Sequence, residues 1–551
     1  MRPSNVVMKL KRLGSMHQSR LSFMRILLRH LKDHNWSFKR SRFELGENGE
    51  GYAIYTAFGS RHNYSLVVFS HDLPDEKRSD RVIAESWDAT FTLFDGIPSD
   101  IDIKRLRKNV PFQENGRVTE KEITLSRANR SIRLFNHVVE SLSTGCQPDL
   151  NELRRVGYLM RTTAVYGSGK FGAADREHIQ TRPEFSAPFQ AEMLTVYLLR
   201  WFTIDLVEFL AYAKNPRDSV KLSKSLAVNL GIGNATGLGM APFLLNHPAL
   251  FNQWISCKES ALESICGIKK IAKSQIELFK QVFARSEMDL LDWTTSDRVT
   301  SEKIEGLISD VNTLKQHLIC FDWQQPYPWR SIVNWVAMKL SIEIQEWLNS
   351  LILEPYPFLV DDYSHKMSVH NEERKYIDGD MTVKEILDLI DQFYYWALDI
   401  DWQSESSEKY LWYVSEEKLE PRLAERHSES LTDYEYPFAP GKDIFFLKNT
   451  LKKFGSQCCI GDFLMLHPEF RHVVRRLQLL PDAPYAEIYD NTVSSELRPV
   501  DMLRCKLSFF GATHFDPKSD RWVRICMFKH APLPKDLKRS DSDLWVYPEL
   551  A

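Results

Sequence analysis

Eight cysteines, at 146, 257, 266, 320, 458, 459, 505 and 526, contain no C-x-x-C pair. That absence removes zinc knuckles and thioredoxin-like motifs and suits a reduced, cytoplasmic setting. No run of eighteen apolar residues is clear of charge, so no membrane span is expected. Neither sign of charge is in excess: 71 Lys and Arg face 74 Asp and Glu, a formal −3. A general nucleic-acid binder needs a basic surplus to neutralise phosphates, and this chain has none. The amino terminus, MRPSNVVMKLKRLGSMHQSRLSFMRILLRHLKDHNW, is basic but lacks an apolar h-region and a small-residue cleavage site. It reads as a leader and then a helix over 22–32, not a secretory signal. There is no G-x-S-x-G elbow, and no cysteine stands where a nucleophile is marked.

A phosphate loop is missing too. The stretch YGSGKFGAADR, residues 166–176, resembles the tip of one. G-x-x-x-x-G-K-[ST] uses backbone amides to cradle phosphates and a hydroxyl to reach Mg²⁺. Placing Gly169 and Lys170 on that pattern puts Ala164 at the first glycine and Phe171 at the hydroxyl. Both defining positions fail.

The 551 residues allow two to four domains with sizeable cores. Between 50 and 110, YAIYTAFG, YSLVVFSHDL and WDATFTLFDG are aromatic and β-branched runs divided by turn residues, as in strands. Helical patterns follow in RANRSIRLFNHVVESLS and LNELRRVGYLMRTTAVY. The run PFQAEMLTVYLLRWFTIDLVEFLAYA is apolar nearly all round, which predicts a helix enclosed by protein. Glu192, Thr195 and Thr203 form its one polar stripe. Helical spacing continues over 259–290, 301–318, 330–353 and 382–397. A polar, acidic passage covers 403–440, and a last helical pair covers 443–455 and 468–478. RCKLSFFGATHF and RWVRICMFKHAPL read as strands, and PKDLKRSDSD as a solvated tail.

Parts of the chain echo each other. FLLNHPALF at 243–251 matches FLMLHPEFR at 463–471. Upstream, Asp218, Leu222, Ser225 and Leu226 share spacings of four, three and one with Asp443, Leu447, Thr450 and Leu451, one helix face in each copy, and Gly231 and Gly455 follow. Tyr158-Leu159 and Tyr410-Leu411 open the stretches that carry Lys170 and Arg422. The motif around Phe58, Gly59 and His62 returns around Phe510, Gly511 and His514, out of order. These matches predict an internal duplication, with two related helical halves about a pseudo-twofold axis.

On that premise the bends carrying Lys170 and Arg422 converge on a crevice that holds a carboxylate or phosphate. Arg161, Arg176 and Arg422 are the expected anion-binding cations. Asn234 and Thr236, in the glycine-rich stretch GIGNATGLGMAPF at 231–243, are expected to donate hydrogen bonds from an amide-lined loop. Tyr166 lines the pocket beside Lys170. Glu192 is the expected general base, because burial raises a carboxylate's pKa. Gly231, Gly233 and Gly237 have a spacing found in some dinucleotide folds, which a preceding strand is needed to support. Histidines 62, 71, 514 and 530 alternate with strand residues, but no carboxylate or thiol completes a metal-ligand set.

The expected fold is mostly α, of the α+β class: two pseudo-repeated helical halves with small antiparallel sheets from the two ends. The expected divisions are 1–125, 126–290, 291–400 and 401–551. The expected function is a soluble, cytoplasmic enzyme using proton transfer, of elimination or isomerisation type, on a small anionic metabolite. Its cofactor is left unassigned, it has no nucleic-acid or membrane partner, and self-association is allowed. A nucleotide- or flavin-dependent oxidoreductase and a non-catalytic helical scaffold are the alternatives.

Overall fold

The computed structural model describes residues 8–9, 14–77, 86–112, 118–162, 179, 181–236, 248–291, 293, 295, 297–367, 377–404, 407, 412–415, 422–423, 435–483, 485–489, 499–517, 523–539 and 543–547. Two compact units are each assembled from separated pieces of chain. A sheet unit takes Met16–Thr236, Ala272–Phe321 and Lys506–Ala551; a helical unit takes Met1–Ser15, Gly237–Ile271 and Asp322–Cys505. This differs from the four contiguous divisions expected, because strands far apart in sequence complete one sheet.

The sheet unit corrects the expected fold class. Its sheet is neither small nor wholly antiparallel. Nine strands take part: β1 (Ser37–Leu45), β2 (Gly51–Phe58), β3 (Asn63–Ser70), β4 (Ala89–Asp95), β5 (Glu122–Arg130), β6 (Tyr158–Thr162), β7 (Gly231–Thr236), β8 (Ala512–Pro517) and β9 (Val523–Met527). Their order is β8-β9-β7-β6-β5-β4-β3-β2-β1. All neighbours are antiparallel except β6 and β7, which are parallel. The carboxyl-terminal strands therefore join the same sheet as the amino-terminal ones, through β9 on β7.

Five helices of the unit matter to the site: α1 (Phe23–Asp33), α2 (Asp100–Asn109), α3 (Ile132–Ser143), α4 (Leu150–Val156) and α5 (Gln190–Lys214). The sheet curls around α5, which touches every strand from β2 to β7. This is why the first half of α5 is apolar on nearly every side: residues 190–200 are all buried. Residues of β2 and β3 are buried on both faces. The face away from α5 packs Tyr52, Ile54, Val67, Phe69 and Leu125 on Ile103 and Leu106 of α2. Edge strand β1 is largely exposed and carries Lys39, Arg40 and Arg42, charges that discourage a further strand from adding there.

The polar stripe of α5 is satisfied locally. Thr195 Oγ1 donates to the Ala191 carbonyl at 2.7 Å and lies 2.9 Å from Thr124 Oγ1 on β5. Thr203 Oγ1 donates to the Arg200 carbonyl at 2.8 Å. Arg200 is fully buried and is held by carbonyls. Its Nε donates to Leu230 O at 2.6 Å, Nη1 to Pro532 O at 3.2 Å and Nη2 to Val228 O at 3.3 Å. Burial draws its pKa down to about 10, against smaller upward pulls from Tyr197 and Cys526. Three carbonyls would lose a charged donor in Arg200→Met. Relief from burying the charge offsets part of that loss, so a net loss of about 2–3 kcal/mol is expected in urea unfolding.

Local expectations fail where a glycine intervenes. LNELRRVGYLMRTTAVY is not one helix: Gly157, at φ 76°, ends α4 in the left-handed region and β6 starts at the next residue. RCKLSF is helical, within Pro499–Phe509, and β8 begins only at Ala512. The carboxyl-terminal tail is not wholly solvated either, since Asp543 is largely buried against Arg20, Arg25 and Arg29.

In the helical unit, Val383–Phe393, Tyr395–Leu398, Pro440–Leu451, Ile460–Leu466 and Arg471–Leu479 close around Ile386, Ile390, Leu447, Phe463 and Leu477. Thr382 and Glu385 form a capping box on the first of these helices. Pro248–Cys266 packs against Pro328–Lys339, Ile342–Ile352 and Pro357–Ser364, with a buried Lys258–Glu346 ion pair inside. Trp412–Ser415 lies between Arg422–Leu423 and Glu435–Phe438 as a small antiparallel sheet.

The two related helical halves are not present. Between Asp218 and Gly231 the chain makes one short turn of helix, Lys224–Ala227, and then enters β7. Its supposed sister from Asp443 is the twelve-residue helix Pro440–Leu451. Tyr158 and Leu159 lie in β6, whereas Arg422 lies in the small sheet and Tyr410-Leu411 falls outside the described residues. Similar spacing of a few apolar residues leads to different structures, because the sheet claims one copy and a helix bundle claims the other.

Candidate functional site

Two strands and a helix gather the expected site residues that are described. Gly157 ends α4 and accepts a hydrogen bond from Gly231 N at 2.7 Å, aligning the starts of β6 and β7. The pairing then runs Tyr158 to Gly231, Arg161 to Gly233 and Thr162 to Asn234. A parallel pair requires a crossover, and α5 lies within it.

Strand alternation fixes which way each residue looks. Thr124 meets Thr195 of α5, so Thr124 and Ala128 face the helix. Ala128 lies opposite Thr162, and Thr162 opposite Asn234. Asn234 is therefore on the α5 side, fully buried, with Nδ2 donating to Thr162 Oγ1 at 3.4 Å. Arg161 is paired with Asn129 on the other face and is also buried. Asn129 Oδ1 there accepts from Asp88 N at 2.9 Å, and the Arg127 guanidinium stacks over Trp87. The sheet thus separates Arg161 from Asn234, and they do not close on one small anion from the same side.

Glu192 is buried in the first turn of α5. The residue before that helix, Phe189, has φ 59° and a side chain that makes no capping hydrogen bond. First-turn amides and the helix dipole make such an end favourable to negative charge, and Glu192 stands in that turn. The backbone of Thr236 ends β7. Tyr166, Lys170 and Arg176 lie outside the described residues. Arg422 belongs to the helical unit, where its backbone pairs with Tyr413. The crevice between sister halves goes with the duplication on which it rested.

The glycine-rich stretch also changes meaning. Residues 231–236 are a strand, not a loop. A Cβ at Gly231 would meet Met527 O at 2.2 Å and Cys526 Sγ at 2.5 Å; one at Gly233 would meet the Tyr158 ring at 2.7 Å. These glycines give neighbouring strands and a tyrosine room to approach. They are not free to wrap a dinucleotide.

Sequence reasoning missed a second polar arrangement in this unit. His62 ends the turn between β2 and β3, and Glu184 sits on the 3-10 turn Pro183–Phe185 that leads into α5. Glu184 Oε1 lies 3.0 Å from His62 Nδ1 and accepts from Tyr64 Oη at 2.6 Å. Arg182 Nη1 donates to Tyr64 Oη at 3.1 Å, and its Nη2 to Asp95 Oδ2 at 2.6 Å. Tyr64 is buried and stacks on Trp36, and burial, with Glu184 beside it, raises its pKa. No local pattern joins His62 to Glu184, which is 122 residues away.

Comparisons with known protein families, curated proteins and solved structures find no match. Among the described residues, no helix is long and apolar enough to cross a membrane.

Proposed function

We propose that the chain is an enzyme that uses proton transfer, of elimination or isomerisation type, on a small carboxylate- or phosphate-bearing metabolite at the β6–α5–β7 unit. The observation that carries this reading is the grouping of Glu192, Asn234 and the Thr236 backbone in one strand–helix–strand unit. In open sheets with parallel strands, ligands favour the carboxyl ends of the strands, where helix amino ends point. Here the glycine-rich run carrying Tyr166, Lys170 and Arg176 follows directly from β6 in the sequence. In this reading Asn234 donates to the substrate, Glu192 moves the proton, and Lys170 and Arg176 neutralise the anion. Arg161, on the opposite face, holds the strand pair from behind.

The same reading places the protein in a reduced cytoplasm, without nucleic-acid or membrane partners, in keeping with eight free thiols. The oxidoreductase alternative asks for a loop where β7 is a strand. A melting-temperature screen of inorganic phosphate, phosphate monoesters and small mono-, di- and tricarboxylates tests the proposal. At least one is expected to raise the midpoint of the wild type by a few degrees, since a ligand at about 100 times its Kd adds about 2.7 kcal/mol. Lys170→Ala and Asn234→Ala should lose most of that rise. A wild type that none of these anions stabilises, or equal stabilisation of all three proteins, would sink the reading.

A further inference from the structure

The hydrogen bonds around Tyr64 have only one consistent direction. A guanidinium can only donate, so Tyr64 Oη accepts from Arg182. The single phenolic proton then goes to Glu184, at 2.6 Å. An ionised carboxylate can only accept, so the 3.0 Å contact with His62 requires the imidazole proton on Nδ1. The lone pair of the neutral ring is left on Nε2. Glu184 is 7% exposed and His62 38%, so the carboxylate is held inside while the ring reaches water. Among the described residues, Nε2 has no protein partner.

A buried carboxylate that fixes Nδ1–H, orients the ring and stabilises the imidazolium is the arrangement that makes a histidine an efficient base. We propose that His62 is a proton-accepting catalytic residue of a second, solvent-facing site, with Glu184 as its positioning residue, its base chemistry being read on an activated ester. The proposal stands apart from the anion reading at β6–α5–β7. In the step, Nε2 takes a proton from water as the water oxygen bonds to the ester carbonyl carbon. The tetrahedral adduct then collapses: the carbon–oxygen bond to the leaving group breaks with its electron pair. The imidazolium Nε2 returns its proton to that oxygen, releasing the acid and the alcohol. No oxidant, reductant or further reactant is consumed.

The test uses the full chain with p-nitrophenyl acetate as probe, read as p-nitrophenol release, on wild type, His62→Gln and Glu184→Gln. His62 is on an exposed turn, so His62→Gln should fold, which its melting temperature verifies. His62→Gln is expected to lower the protein-dependent rate about tenfold, a small share of what a positioned base contributes. Glu184→Gln should give an intermediate rate. Histidine ¹⁵N spectra add a readout that a merely structural role would not move. His62 should be the Nδ1–H tautomer in the wild type, reverting in Glu184→Gln toward the Nε2–H form. Equal rates for wild type and His62→Gln overturn the proposal, and so does a wild-type His62 protonated on Nε2.

Discussion

Gly231→Ala is expected to cost the sheet unit its fold, not a ligand. The new methyl would lie 2.2 Å from Met527 O, 2.5 Å from Cys526 Sγ and 2.8 Å from Lys529 N. Two of those atoms are backbone, so no rotamer change clears them. The displaced segment is β9, which ties the carboxyl-terminal strands to β7. Overpacking usually costs about 1–3 kcal/mol by forcing side chains off their rotamers. A clash with fixed backbone in a central strand exceeds that, and about 4 kcal/mol or more is a large share of the ~5–15 kcal/mol that keeps a domain folded. Low yield of soluble protein and a collapse of the urea midpoint are the expected signs. Gly306→Ala is the internal control. It lies in the helix Arg298–Ile319 of the same unit, with nothing within 4 Å of the new methyl. Removing a mid-helix glycine there should stabilise by up to about 1 kcal/mol. If Gly231→Ala folds like the wild type and only loses nucleotide affinity, the loop reading returns and the strand assignment fails.

That contrast shows where the sequence speaks and where it is silent. The central helix is legible because enclosure writes itself on every face: α5 stays apolar through almost its whole length, and its threonines satisfy themselves. Aromatic runs announce β2, β3 and β4 for a similar reason, being buried on both sides. β7 is illegible, because GIGNAT has weak strand propensity and becomes a strand through its neighbours. Tyr158 needs Gly233, and β9 needs Gly231. The register of β9 on β7 joins residues almost three hundred apart, which no local window contains. The echo misled for the complementary reason: a helical face repeated in sequence says what a segment prefers, and the sheet overrode that preference in one copy.

The site divides in the same way. Burial of Glu192 follows from the helix that carries it, and the structure buries it. The faces of Arg161 and Asn234 depend on strand register, which the helix-like spacing of LNELRRVGYLMRTTAVY conceals. His62 looked like an unsupported metal ligand because its partner is a glutamate far along the chain. The polarity of that contact emerges only when Arg182 and Tyr64 are placed beside it.

Asp543→Asn should be nearly as damaging as the glycine change, and its effect should depend on pH in a defined direction. Arg25 and Arg29 are one helical turn apart on α1, and Arg20 precedes it; all three converge on Asp543. Arg20 Nη1 reaches its two oxygens at 2.9 and 3.1 Å, Arg29 Nη1 at 3.0 Å and Arg25 Nη2 at 3.2 Å. Burial alone would raise the carboxyl's pKa, but Arg25, Arg20 and Arg29 outweigh it and hold the group well below the usual carboxylate range. Removing one partner from a buried ion cluster leaves charge uncompensated, so a loss of about 3–5 kcal/mol is expected at pH 7. The folded pKa is depressed, so this stability is fully present above the unfolded value near ~3.9. It is lost as pH falls through the folded value, because the unfolded chain binds the proton first. The gap in unfolding free energy between wild type and Asp543→Asn should therefore be constant from pH 7 to about 5 and narrow by about 1.4 kcal/mol per unit below 4. Urea titrations of both proteins at pH 7, 5, 4 and 3 measure it. A gap absent at pH 7, or one that widens in acid, would mean that the carboxylate does not hold α1 to the end of the chain.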